Sequence, residues 1–153
     1  YCDTSVHQLC NFSKRSFSME NRETNLLALR PQILGAKVHE NMTFDEKFQN
    51  ETIRPIVKLQ SDLLLEVFRN YITKRKNTFY DLSVEKRLMY IENAIQKDMK
   101  FRNSLKGMII GQFTVEEYIT YIKNSSALNK RMMNIVKERL QSNIQLLERQ
   151  FAI

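Results

Sequence analysis

Tryptophan is absent from this sequence of 153 residues, and glycine (3), proline (2), cysteine (2) and histidine (2) are scarce. So few Gly and Pro residues exclude the many tight turns that an all-β fold requires. Cys2 and Cys10 both fall at the very start of the chain. No disulfide framework therefore holds it together, and the pattern fits a reducing compartment. Long apolar runs are missing too. Leu63-Leu64-Leu65 and Met108-Ile109-Ile110 fall far short of the roughly 20 residues that cross a bilayer. The first residues lack the basic, apolar, small-residue order of a secretory signal. Together these absences predict a cytoplasmic protein with no membrane partner.

What is present is ordinary apolar content and an excess of positive charge. Apolar residues make up 42% and charged residues 27%, which places the chain with globular proteins and away from disordered ones. Lys and Arg (24) outnumber Asp and Glu (17), for a formal charge of +7. A chain of this length can bury about two-thirds of its unfolded surface in one core, so a single domain is expected.

The chain divides near residue 42. Residues 1–42 show no sustained period and read as an irregular N-terminal arm. Met19 opens a polar Met-Glu-Asn-Arg-Glu stretch, so residues 1–18 stand either as a non-native leader before a natural start at Met19 or as a disordered tail. Leu26, Leu27, Leu29, Ile33, Leu34 and Val38, set around Pro31 and Gly35, describe an extended segment able to lie across the main domain or a partner.

From residue 43 to 153 the pattern is helical throughout. Thr43-Phe44-Asp45-Glu46 and Thr114-Val115-Glu116-Glu117 are capping boxes, in which a hydroxyl and a Glu satisfy free N–H groups reciprocally. Pro55 opens a second helix or kinks a continuous one. Beyond it Ile56, Leu63, Val67 and Tyr71 form an apolar stripe up to Lys74–Asn77. A helix capped by Ser83 is predicted to run to Lys106, with Val84, Leu88, Ile91, Ile95 and Met99 inward. Met108-Ile109-Ile110 reads as a connector or minimal strand between Gly107 and Gly111. Ser125 and Ser126 then cap a last helix from Ala127 to Phe151, with Leu128, Met132, Ile135, Leu140, Ile144 and Leu147 on its stripe. The expected architecture is all-α, a compact bundle of about five helices, three long and two short.

Chemistry is limited by another absence: between Thr43 and Ile153 there is no His and no Cys. The commonest acid–base residue, thiol nucleophile and transition-metal ligands are missing from the folded part. Cys2, His7, Cys10 and His39 match no standard zinc spacing. Asp62 and Glu66 lie one turn apart but are flanked by Lys58 and Arg69, the pattern of a solvated ion-pair face. No Gly-rich phosphate loop or dinucleotide fingerprint occurs. No catalytic residue, metal or cofactor is expected, and an enzyme would need a site made from carboxylates alone.

The positive signal is a basic segment. Residues 69–106 hold ten Lys and Arg against four Asp and Glu, interleaved with Tyr71, Phe79, Tyr80 and Phe101. A basic face attracts phosphates, and exposed aromatics stack on single-stranded bases. Lys74, Arg75, Lys76, Lys97, Lys100, Arg102, Lys130 and Arg131 are the candidate contacts to RNA, DNA or a nucleoprotein assembly. The simpler reading is a solvated face with the aromatics in the core. A second hypothesis is a protein-interaction or dimerisation module using the arm and the last helix. There Met132 and Met133, being adjacent, must point to different sides, and Leu140 and Leu147 continue the apolar stripe.

Three stretches carry a resemblance: Arg54-Pro55-Ile56-Val57-Lys58-Leu59-Gln60, residues 101–118 from Phe101-Arg102-Asn103-Ser104 to Glu116-Glu117-Tyr118, and Asn124-Ser125-Ser126-Ala127-Leu128-Asn129-Lys130-Arg131-Met132-Met133. Over about residues 26 to 150 the chain resembles a group of small helical Bacteroidetes proteins that often bear the label glyoxalase. The resemblance supplies no catalytic residues. Glyoxalase-type lyases use paired β-α-β-β-β modules and metal held by His and Glu, and this core offers long helical periods and no His.

Overall fold

The computed structural model describes residues 19–35 and 38–149, and expectations placed on residues 1–18 and on Phe151 lie outside them. The fold is all-α, with no strand among the described residues.

The N-terminal arm departs from its sequence reading. Residues Met19–Leu29 form a helix, α1, rather than an irregular or extended segment. Its apolar side chains do little to hold it in place, since Leu27 and Leu29 are exposed and Leu26 is only half-buried. Polar contacts do. Arg22 donates to the carbonyl oxygens of Gly111 and Phe113, each at 3.1 Å. Glu23 accepts from the Val115 N–H at 3.1 Å. Arg30, just past the helix, pairs with Glu117 and donates to the Gln112 carbonyl at 2.9 Å. Such contacts leave no hydrophobic period to read.

Thr43 closes the expected capping box with Glu46 at 3.3 and 3.1 Å and starts α2 (Phe44–Phe48). A π-helical turn over Gln49–Ile53 carries the chain without a break into α3 (Arg54–Leu59). Pro55 accounts for the widening, because a proline ring collides with the carbonyl four residues back and lacks an N–H. The Arg54 N–H donates to Gln49, five residues back, and opens that room. After a break at Gln60, α4 (Ser61–Lys74) follows. Its end turns through Lys76 and Asn77, both left-handed, into a 3-10 turn at Thr78–Asp81.

The helix expected from Ser83 to Lys106 is two helices, α5 (Val84–Lys97) and α6 (Met99–Ile110). Asp98 divides them: it leaves helical geometry and its carboxylate accepts from the Phe101 N–H at 3.1 Å. Met108-Ile109-Ile110, read as a connector or strand, is the last turn of α6. The second capping box forms as expected, with Thr114 and Glu117 bonded at 2.8 and 3.1 Å, and starts α7 (Val115–Tyr121). A 3-10 turn at Ile122–Asn124 leads into α8 (Ser125–Ser142). Ser125 and Ser126 therefore lie inside that helix rather than capping it, and α8 stops before Asn143. The Asn143 amide donates to the Arg139 carbonyl at 2.8 Å, and a 3-10 turn at Ile144–Leu147 tucks Leu147 inward.

One hydrophobic core runs through the described residues, built on Ile53, Ile56, Leu64, Phe68, Ile72, Ile91, Leu105, Leu128, Met132 and Leu140, all fully buried. α8 packs against α3, α4, α5 and α6, which makes it the central element.

Candidate nucleic-acid interface

The end of α4 meets the α5–α6 elbow around an aromatic cluster. Phe68 is fully buried, with the rings of Tyr71, Phe79, Tyr90 and Phe101 all within 6.3 Å of its own. Tyr71, Phe79 and Phe101 are buried here. The interleaved aromatics of the basic segment thus chiefly build the core, with Tyr71, although buried, at its margin beneath Arg75.

At the surface of this cluster Arg75 lies over the Tyr71 ring, 3.7 Å from its centroid, and pairs with Asp98. Solvent-exposed cation–π contacts of this kind contribute about 0.5–1 kcal/mol. The Tyr71 hydroxyl donates to Asp98 at 3.3 Å. Burial, together with the neighbouring carboxylate, pushes the Tyr71 hydroxyl up to about 12, so it stays protonated as a donor. The Phe101 N–H, with Arg75 and Tyr71, holds the Asp98 carboxyl below the usual carboxylate range. Burial also raises Tyr90, whose hydroxyl oxygen is enclosed.

Above these groups opens a shallow cavity of about 550 Å³. Tyr71, Tyr90, Ala94 and Met99 form an apolar floor, and Arg75, Lys97 and Lys100 stand around it with Asp98. Lys97 and Lys100 are exposed and have no ion-pair partner among the described residues. On the other flank of the elbow a groove of about 400 Å³ separates α5 and α6 from α8. It brings together Arg102 and Lys130 with Lys137, which is 3.5 Å from Glu92.

The eight basic candidates therefore do not form one patch. Arg75, Lys97 and Lys100 ring the first cavity, while Arg102 and Lys130 share the groove across the elbow. Lys74 is exposed on the last turn of α4. Lys76 lines a different cavity on another face of that helix. Arg131 is half-buried and donates to the Gln49 side chain at 2.8 Å, which gives it a structural task tying α8 to the π-helical turn.

The partner-binding candidates fail on burial. Met132, Leu140 and Leu147 are fully buried and Met133 is 4% exposed, so none is available to a partner. Met132 and Met133 do point to different sides, but the central position of α8 puts protein on both. The exposed apolar stripe instead runs along α7 and into the 3-10 turn after it, at Val115, Tyr118, Ile119 and Ile122. Its spacing is helical and legible, yet the core takes Tyr121 from the other face of α7.

Among the described residues no group of three or more His, Cys, Asp or Glu is placed to hold a metal, and no helix is long and apolar enough to cross a membrane. No protein-family model, curated protein or solved structure matches the chain.

Proposed function

We propose that this chain is a non-enzymatic binding protein for single-stranded nucleic acid, with its contact face at the α4–α5–α6 corner. The observation that carries the reading is the cavity in which Arg75, Lys97 and Lys100 surround the apolar floor of Tyr71, Tyr90, Ala94 and Met99. An apolar floor receives a base, and the cations around it receive the phosphates on either side. Lys97 and Lys100 are the strongest contacts in this reading, because neither is committed within the protein. Arg75 is shared with Asp98, which fixes it at the cavity wall, and it remains exposed to a phosphate there. The test is fluorescence anisotropy of a labelled single strand with the full chain and with Lys97→Glu/Lys100→Glu. The double variant is expected to weaken binding by roughly a hundredfold at low salt. Affinity equal to that of the unaltered chain would overturn the reading.

A second reading, association with another copy of this chain, is favoured by α7. Its exposed stripe is flanked by Glu116 at one end and Lys123 at the other, both exposed. Two such helices packed antiparallel about a two-fold axis place each Glu116 near the Lys123 of the other copy. Sedimentation equilibrium of the unaltered chain and of Ile119→Asp decides it: a dimer that the variant abolishes supports the reading, and a monomer at all concentrations removes it.

A further inference from the structure

The cavity on the other face of α4 is built differently from the first. It has a volume of about 660 Å³ and polar walls that include Arg69, Asn70, Lys76, Asn77, Tyr80 and Arg149. Arg69 is held by Glu66 and by the Leu146 carbonyl, and its buried Nε–H has no partner. Arg149 lies over the Tyr80 ring at 5.5 Å and 3.7 Å from the exposed Asp81. Glu66 and Asp81 thus offset two of the three cations, and Lys76 is left in excess. Neither the Lys76 ammonium nor the side-chain amides of Asn70 and Asn77 have a partner among the described residues.

The backbone at this mouth is unusual. Lys76 has φ 60° and Asn77 has φ 57°, both left-handed. The Asn77 N–H closes the end of α4 on the Ile72 carbonyl at 3.2 Å, and the Arg75 N–H bonds the same oxygen at 3.0 Å. In such a helix ending, the first residue past the cap is usually Gly, because a Cβ is strained there. Here that position carries a lysine, and its side chain lines the cavity. Strained backbone clusters at binding sites, and here the left-handed residue lines a polar cavity.

We propose that this cavity binds a phosphate monoester carried on a hydroxylated carbon skeleton. The phosphate lies between Lys76 and Arg149, where charge-assisted hydrogen bonds are strongest. Asn70, Asn77 and the Tyr80 hydroxyl supply donors and acceptors to hydroxyl groups. The same chemistry is offered by the 5′-phosphorylated end of a nucleic-acid strand and by a free sugar phosphate. The inference is independent of the reading of the α4–α5–α6 corner.

The test uses the full chain. Isothermal titration with ribose 5-phosphate, and with ribose as the control, reads the free ester; anisotropy with 5′-phosphorylated and 5′-hydroxyl strands reads the strand end. Ribose 5-phosphate is expected to bind saturably and ribose not at all. Lys76→Gly is expected to weaken that binding roughly tenfold while raising the melting temperature, because it removes a cation and relieves the left-handed strain. A stabilised variant that loses the ligand cannot be explained by misfolding. Arg149→Ala is expected to weaken binding similarly. A preference for the 5′-phosphorylated strand that disappears in Lys76→Gly identifies the strand end as the source; equal binding of both strands with ribose 5-phosphate retained identifies the free ester. Lys97→Glu/Lys100→Glu should leave ribose 5-phosphate binding intact, so the two sites fail separately. The proposal is overturned if neither phosphorylated probe is preferred over its unphosphorylated control, or if binding survives both Lys76→Gly and Arg149→Ala.

Discussion

Glu117 joins three parts of the chain through one carboxylate. It accepts from the Thr114 N–H at 2.8 Å, from Arg30 at 2.7 Å and from the Thr52 hydroxyl at 3.2 Å. Burial alone pushes its pKa up, but these donors and the Arg30 charge outweigh burial and bring it below the usual carboxylate value. A depressed folded value means that its stabilisation is complete above the unfolded pKa of about 4.3 and disappears as the pH falls through the folded one. Glu117→Gln is accordingly expected to cost about 2 kcal/mol at pH 7 and to flatten the acid side of the stability profile. Urea denaturation between pH 7 and pH 3 measures both; an acid limb parallel to that of the unaltered chain would contradict the assignment. Asp98 presents the opposite balance of stability and function. It caps α6 and pairs with Arg75, yet it is the one carboxylate on the first cavity. Asp98→Ala should lower the melting temperature and at the same time strengthen single-strand binding by roughly two- to fivefold, since it removes a charge that repels phosphate. Anisotropy and thermal denaturation of the same preparation check the pair, and a loss of affinity would place Asp98 among the contacts.

At the scale of elements, legibility followed how local each determinant is. The capping boxes at Thr43 and Thr114 are complete within four residues, and both form. The stripes of α4 and α5 are periodic but lie inward only in part: Tyr71, Ile91 and Ile95 are buried as read, whereas Leu63, Val84 and Met99 are exposed, and in α4 the buried face is set by Leu64, Leu65, Phe68 and Ile72. The breaks at Gln60 and Asp98 were not visible, because apolar spacing continues on both sides and Asp98 lacks the Glu or Gln three residues on that would complete a capping box. α1 was hidden for another reason: what fixes it, Arg22, Glu23 and Arg30, bonds to residues far along the chain. In α8 the period was legible but its use was not. A stripe for a partner and a stripe for the chain's own core have the same spacing, and only the placement of α8 among four other helices separates them. Leu140→Asp gives this correction a measurable form. Placing a carboxylate where Leu140 is fully buried is expected to cost more than about 4 kcal/mol and to unfold much of the population. Circular dichroism and urea denaturation read it; a variant that keeps full stability while losing only self-association would restore α8 as an interface.

Across the whole molecule the question is whether its excess positive charge acts as a diffuse field or as a track. Arg75, Lys97 and Lys100 at the first cavity and Arg102 and Lys130 in the groove lie on the two flanks of one elbow. A single strand crossing that elbow meets five cations in succession. Each phosphate neutralised on a single strand contributes about −0.7 to the slope of log K against log salt, so the full track predicts about −3.5. Lys97→Glu/Lys100→Glu should reduce the magnitude of that slope to about 2, and Arg102→Glu/Lys130→Glu should do the same by the same amount. A diffuse field predicts something else: any two charge reversals on the surface would have similar effects, including Lys47→Glu/Lys58→Glu, which lies outside both cavities on exposed positions of the α2 and α3 segment. Arg131 supplies a further contrast, because its guanidinium is committed to Gln49. Arg131→Ala is expected to lower the melting temperature and leave the salt slope unchanged. Slopes for these four variants, measured by anisotropy between about 50 and 200 mM salt, separate the cases: a loss confined to the elbow pairs makes it a track, and an equal loss at Lys47 and Lys58 reduces the basic face to net charge alone.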